Sequence, residues 1–143
     1  MLVNMDGKVF VGQRLDNLVE AWQMPQGGID DGEDPRTAAF RELEEETGVA
    51  SHHVEVIGQS KDEHFYDLPD DLIGKIWGGK YRGQRQIWYL MRFVGEDGHI
   101  NIETPHQEFR EWRWADPVSL PDLIVPFKRK LYRDILHEFS DLI

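Results

Sequence analysis

Residues Gly27–Val49 read GGIDDGEDPRTAAFRELEEETGV. Asp34 is a good N-cap, Pro35 is pre-set for the first helical position, and Gly48 is a natural stop, so one helix is predicted from Asp34 to near Gly48. Ahead of it, Gly27-Gly28 and the acidic turn Asp30-Asp31-Gly32-Glu33 punctuate the chain. At 100° per residue, Glu42, Glu45 and Glu46 fall within an arc of about 100° and project from one side of the helix. The neighbours of Glu42 are Ala38, Ala39, Glu45 and Glu46; those of Glu46 are Glu42, Leu43, Val49 and Ala50. Only Glu45 has a basic neighbour on the helix, Arg41. Two like charges about 4 Å apart repel by roughly 4 kcal/mol at an effective dielectric near 20, whereas an i,i+4 ion pair returns about 0.3–0.5 kcal/mol. Hard divalent cations take carboxylate oxygens, so a Mg²⁺ or Mn²⁺ site would turn repulsion into coordination. A charged helical face is more often simply solvated, and spacing alone leaves both readings open.

Working outward, Met1–Asn4 and Lys8–Arg14 read as a hairpin around Asp6-Gly7, and Ala21–Met24 as a short strand before Pro25. Downstream, Val54–Gly58, Glu63–Tyr66, Gln86–Gly95 (QIWYLMRFVG) and Glu108–Ala115 (EFREWRWA) are rich in strand formers, and the run at 86–95 is expected as a central strand. In the tail from Val125, the residues Leu131, Ile135, Leu136, Phe139 and Leu142 lie near one helical stripe. Strands and helices mix as an α/β (α+β) domain with one sheet covered by helices.

The chain has 143 residues and 16.7 kDa, with 40% hydrophobic, 30% charged and 11% aromatic residues, which suits one globular domain over 1–143. Zero cysteines exclude a disulfide scaffold, a thiol nucleophile and Cys-ligated zinc or iron–sulfur sites. No run approaches the roughly 20 apolar residues that span a bilayer, and MLVNMDGKVF is no signal peptide, so a cytoplasmic location without membrane partners is expected. A net charge of −11 argues against gripping nucleic acid by phosphate neutralisation alone; an anionic substrate would need a metal bridge. Adjacent His52-His53 lack the spacing of a helical zinc site, and neither G-x-S-x-G nor a P-loop motif occurs.

Read as Gly27, five residues, Glu33, seven residues, Arg41-Glu42-Leu43, one residue, Glu45-Glu46, one residue, Gly48-Val49, the stretch resembles the Nudix box without departure. Further likeness comes from Trp22–Gly28 (WQMPQGG), Gly83–Gln86, Glu108–Trp114 (EFREWRW) and Pro126–Tyr132 (PFKRKLY), which look like the bacterial RNA pyrophosphohydrolase and dinucleoside polyphosphate hydrolase branch. The resemblance implies an α/β/α sandwich around a mixed sheet. It also implies hydrolysis of a nucleoside diphosphate linked to another moiety, by water attacking phosphorus.

On that resemblance, Glu42, Glu45 and Glu46 are expected to hold Mg²⁺, with Mn²⁺ as substitute, and Glu108 to add a carboxylate from outside the box. Either Glu108 or Glu42 could take the proton of the water, with Glu42 preferred. Arg41 is expected to orient Glu45 through an ion pair, and Glu33 to hold the turn or reach the metal through water. Gly27, Gly28 and Gly48 are expected to permit tight turns and close approach. Tyr66 and Phe127 are expected to meet a base, and Lys128, Arg14 and Arg85 to meet phosphate; ordinary packing and solvated charge are the alternatives at each. The tryptophans are expected mostly in the core.

The implied substrate is 5′-triphosphorylated RNA, losing pyrophosphate or successive phosphates at the start of mRNA decay; the alternative is a dinucleoside polyphosphate such as diadenosine tetraphosphate, cleaved to ATP and AMP. Lys75, Lys80, Arg82 and Arg85, or Lys128-Arg129-Lys130, could form a basic rim for RNA, or be solvated. A silent nucleotide or RNA sensor would be expected to lose box glutamates, and all three are kept. A protein activator and a monomer or small homo-oligomer are both compatible with the branch. Its members usually carry a short segment before the first strand, often with an arginine that can face the 5′ end, so the start here either is truncated or does without it.

Overall fold

A computed structural model describes residues 1–15, 21–26, 32–61, 63–67 and 83–143, with 65–67 and 83–85 described through their backbone. The strands are β1 (Leu2–Val3), β2 (Val9–Arg14), β3 (Val54–Gln59), β4 (His64–Asp67), β5 (Gly83–Gln86), β6 (Tyr89–Phe93) and β7 (Phe109–Ala115). The helices are α1 (Pro35–Thr47), α2 (Leu120–Leu123) and α3 (Arg129–Phe139). Five strands form one sheet in the order β3-β6-β1-β2-β7, parallel between β1 and β6 and antiparallel elsewhere; β4 and β5 form a separate antiparallel ribbon.

Period-two alternation sorts the side chains to two faces. Val3, Val9, Val11 and Leu90 join a core with Leu131, Tyr132, Ile135 and Phe139 of α3. Leu2, Phe10, Tyr89, Met91 and Phe93 point the other way, into a core with Leu43 of α1 and Phe109. A mixed sheet with helices on both faces is the expected sandwich. Trp88 is core, while Trp112 and Trp114 are partly buried on the α1 face, where the Trp112 ring stacks on Phe10 with centroids 5.5 Å apart. Among the described residues, no helix is long and apolar enough to cross a membrane.

Three expectations change. The run Gln86–Gly95 is not one strand: β5 ends at Gln86 and β6 starts at Tyr89, in an interior position beside the central β1. The interruption has a hydrogen-bond cause, because the Trp88 N–H donates to Ser60 Oγ (3.0 Å) and the Trp88 carbonyl accepts from Ser60 N (2.8 Å). There the hairpin leaves the main sheet and continues as the ribbon. Ala21–Met24 forms no strand; Gln23 alone bridges Gly12 through two backbone bonds, 2.8 and 2.9 Å, and Pro25 has no N–H with which to continue. Leu142 lies beyond α3 and is exposed, because the helix ends at Phe139.

Candidate active site

Helix α1 is bounded as its sequence dictates. Asp34 Oδ2 accepts from Thr37 N at 3.1 Å, Pro35 opens the helix, and Gly48 closes it at φ 73° with its N–H on the Glu44 carbonyl (2.9 Å). A Cβ at Gly48 would lie 2.6 Å from the Asn101 carbonyl oxygen, so glycine is required both by conformation and by space.

The three carboxylates share a side of α1 but not an environment. Glu42 and Glu45 are partly exposed, whereas Glu46 turns into the protein and keeps only 3% of its surface. Burial first, then the charges of Glu42 and Glu108, push the Glu46 carboxyl up from 4.5 to about 9, against a backbone N–H bond from Gln26 and the charge of Arg14. Glu46 Oε2 is buried with no hydrogen-bond partner among the described residues. A carboxylate oxygen left unpaired beside two further carboxylates matches the donor set of a hard divalent cation, and a nearby positive charge would reverse the shift.

Glu108 does come to the helix from outside it. Its carbonyl accepts from Leu15 N at 2.9 Å, its carboxylate is 3.4 Å from Arg14 Nη2, and its charge reaches Glu46. Arg14 thus pairs with a carboxylate of the site. Lys128, in the short turn before α3, is buried at 7% exposure; burial, then Arg14, lowers its ammonium to about 8, opposed by Glu46. Its Nζ lies 5.9 Å from the ring centroid of Phe127. Arg14, Phe127 and Lys128 therefore gather on the Glu46 side of the site.

Arg41 does more than its helical spacing implied. It bonds Glu45 Oε2 (3.1 Å) as expected, but the same Nη1 bonds Glu42 Oε1 (2.9 Å), and Nε and Nη2 grip both oxygens of Glu33 (2.8 and 2.9 Å). Among the described residues, no three Asp, Glu or His side chains are gathered into a metal cage, and Arg41 holds two of the carboxylates. The Glu33 link spans the helix start, where no periodicity signals it. Nor does any spacing rule mark Gln26, whose backbone N–H bonds Glu46, although it sits in the WQMPQGG stretch.

Gly27, Gly28, Lys75, Lys80 and Arg82 lie outside the described residues, as do the side chains of Tyr66 and Arg85. By register, Tyr66 stands opposite Gln84 and Arg85 opposite Phe65 in the ribbon, which His64 ties to α3 through Glu138 (2.8 Å).

The chain matches the NUDIX domain over residues 1–135. It is 65% identical over 143 residues to an RNA pyrophosphohydrolase of Sphingopyxis alaskensis, covering 100% of this chain and 90% of that protein. To an RNA pyrophosphohydrolase of Novosphingobium aromaticivorans it is 62% identical, with the same coverage. Among solved structures, an E. coli dihydroneopterin triphosphate pyrophosphohydrolase superimposes with a TM-score of 0.74 at 18% identity, over 96% of this chain and 91% of that one. A C. elegans Ap4A hydrolase binary complex gives 0.65 at 17%, over 99% and 97%. These two likenesses concern the fold. With the domain matched over residues 1–135 and relatives at 65% and 62% identity along its whole length, this chain belongs to the Nudix family.

Proposed function

We propose that this protein removes pyrophosphate, or successive phosphates, from the 5′ end of triphosphorylated RNA in the cytoplasm, and so starts mRNA decay. The substrate class rests on whole-chain likeness to proteins named RNA pyrophosphohydrolase. The chemistry rests on one observation, the buried unpaired oxygen of Glu46 facing the charges of Glu42 and Glu108.

Glu42, Glu45, Glu46 and Glu108 would hold the cation, Mg²⁺ with Mn²⁺ as substitute. When bound, it neutralises the polyphosphate, makes water more acidic and steadies the leaving oxygen. Water oxygen bonds to phosphorus as the anhydride bond to pyrophosphate breaks, leaving a 5′-monophosphate. The water's proton passes to a carboxylate, Glu42 or Glu108. Glu42 is the better base, because its partner Arg41 orients it and its exposure is lower. Arg41 positions Glu42 and Glu45 and does not touch substrate. Lys128 and Arg14 bind phosphate oxygens, and Phe127 offers a ring to a base.

The test is a matched competition, with Mg²⁺, between a short 5′-triphosphate RNA and diadenosine tetraphosphate, comparing kcat/KM and products. Preference for RNA with pyrophosphate or phosphate release is the expected result. Preference for the dinucleotide would overturn it and make this a nucleotide-clearing enzyme.

A further inference from the structure

The last turn of a helix leaves carbonyls with no partner inside the helix. At the end of α1, the Glu44 carbonyl is met by Gly48 N and the Thr47 carbonyl by Asn101 N at 2.8 Å. The Glu45 carbonyl is met by a side chain from much further along the chain, Thr104, whose hydroxyl donates at 2.5 Å across 59 positions. The segment that supplies this cap is the one that leads to Glu108. Asn101 Oδ1 braces it by accepting from Glu103 N (3.0 Å), and Asn101 is pressed against Gly48. At its far end the Glu108 carbonyl is held by Leu15 N. Residues 101–108 are therefore a strut with one end on the carboxylate helix and the other on Leu15, just beyond β2, carrying Glu108 toward Glu46.

We propose that Thr104 is a positioning residue: its hydroxyl, by capping the Glu45 carbonyl, sets the separation between the α1 carboxylates and Glu108. The proposal rests on the reading that these carboxylates act at one cation. Groups that orient ligands from behind cost about 10- to 100-fold in affinity or activity when removed. A plain helix cap would lower the melting temperature and leave the site's affinity for cations alone.

Thr104→Val keeps the shape and removes the donor; Thr104→Ser keeps the donor. Mn²⁺ affinity is read without turnover, from the electron paramagnetic resonance signal of free Mn²⁺, alongside kcat, KM and Tm. T104V is expected to weaken Mn²⁺ binding and kcat by about 10-fold or more with a smaller change in KM, and T104S to restore both. Unchanged Mn²⁺ affinity and kcat in T104V, whatever its Tm, would overturn the proposal; T104A repeats the measurement if T104V does not fold. Glu46→Gln, measured in parallel, separates the two failures. If E46Q binds Mn²⁺ and turns over normally, the carboxylate reading falls and the role of Thr104 with it. If E46Q is inactive and T104V is unchanged, only the role of Thr104 falls.

Discussion

Arg41 grips Glu33 with two bonds, Nε to Oε2 at 2.8 Å and Nη2 to Oε1 at 2.9 Å, and turns its remaining nitrogen to Glu42 and Glu45. The planar guanidinium thereby locks the turn before α1 to two of its carboxylates. A lysine would keep the charge and lose the fork.

Arg41→Lys is therefore expected to lower kcat by about 10-fold or more, with a smaller change in KM, since the positioned carboxylates are disordered without being removed. In a double-mutant cycle with Glu33→Gln, the losses should be non-additive by about 0.5 kcal/mol or more. Strict additivity would separate Glu33 from the site.

Glu45→Gln and Glu46→Gln should each cost about 100-fold or more in kcat with the fold intact, checked by steady-state kinetics and circular dichroism. Normal activity in both would remove the metal assignment.

Without metal, Glu46→Gln should make the protein more stable. The carboxyl titrates at about 9 in the native state against an ordinary 4.5, so between these values the native chain keeps a proton that the unfolded chain has lost. Stability attributable to Glu46 therefore falls as pH rises through that window, and a glutamine removes the fall. In chelator, the Tm of E46Q should exceed that of wild type by a margin that grows from pH 5 to pH 8. A constant margin would mean that Glu46 is not held protonated by its surroundings.

Lys128→Met should raise KM for the triphosphate about 10-fold, roughly 1.4 kcal/mol of binding, and leave Tm equal or higher at pH 7. Burial lowers this ammonium to about 8, so the charge works against the fold below that value. Wild-type stability from this group should rise between pH 8 and the ordinary 10.5, as the native amine loses its proton before the unfolded one. An unchanged KM would assign Lys128 to packing alone.

Gly48→Ala should lose about 2 kcal/mol of stability, seen in thermal or urea unfolding, because φ is 73° and the new Cβ meets a backbone carbonyl. Little change would show that residues 101–104 can move away from the helix end.

Local rules were enough wherever the deciding interactions are local. Asp34, Pro35 and Gly48 bound α1 because capping involves residues three or four apart, and Asp6-Gly7 marked the turn between β1 and β2. The crowding of Glu42, Glu45 and Glu46 was likewise visible in the spacing. The break after Gln86 was not, since the hydroxyl that captures Trp88 belongs to Ser60 and the run itself is rich in strand formers.

The sequence by itself determined most of the elements and the identity of the acidic helix, which depend on 3.6- and 2-residue periods and on local caps. Only the tertiary structure decided which glutamate is buried, that Arg41 serves three carboxylates, and that Thr104 brings the Glu108 segment to the end of α1. Each of these depends on one polar group finding another across the fold, and such a pairing leaves no periodic trace along the chain.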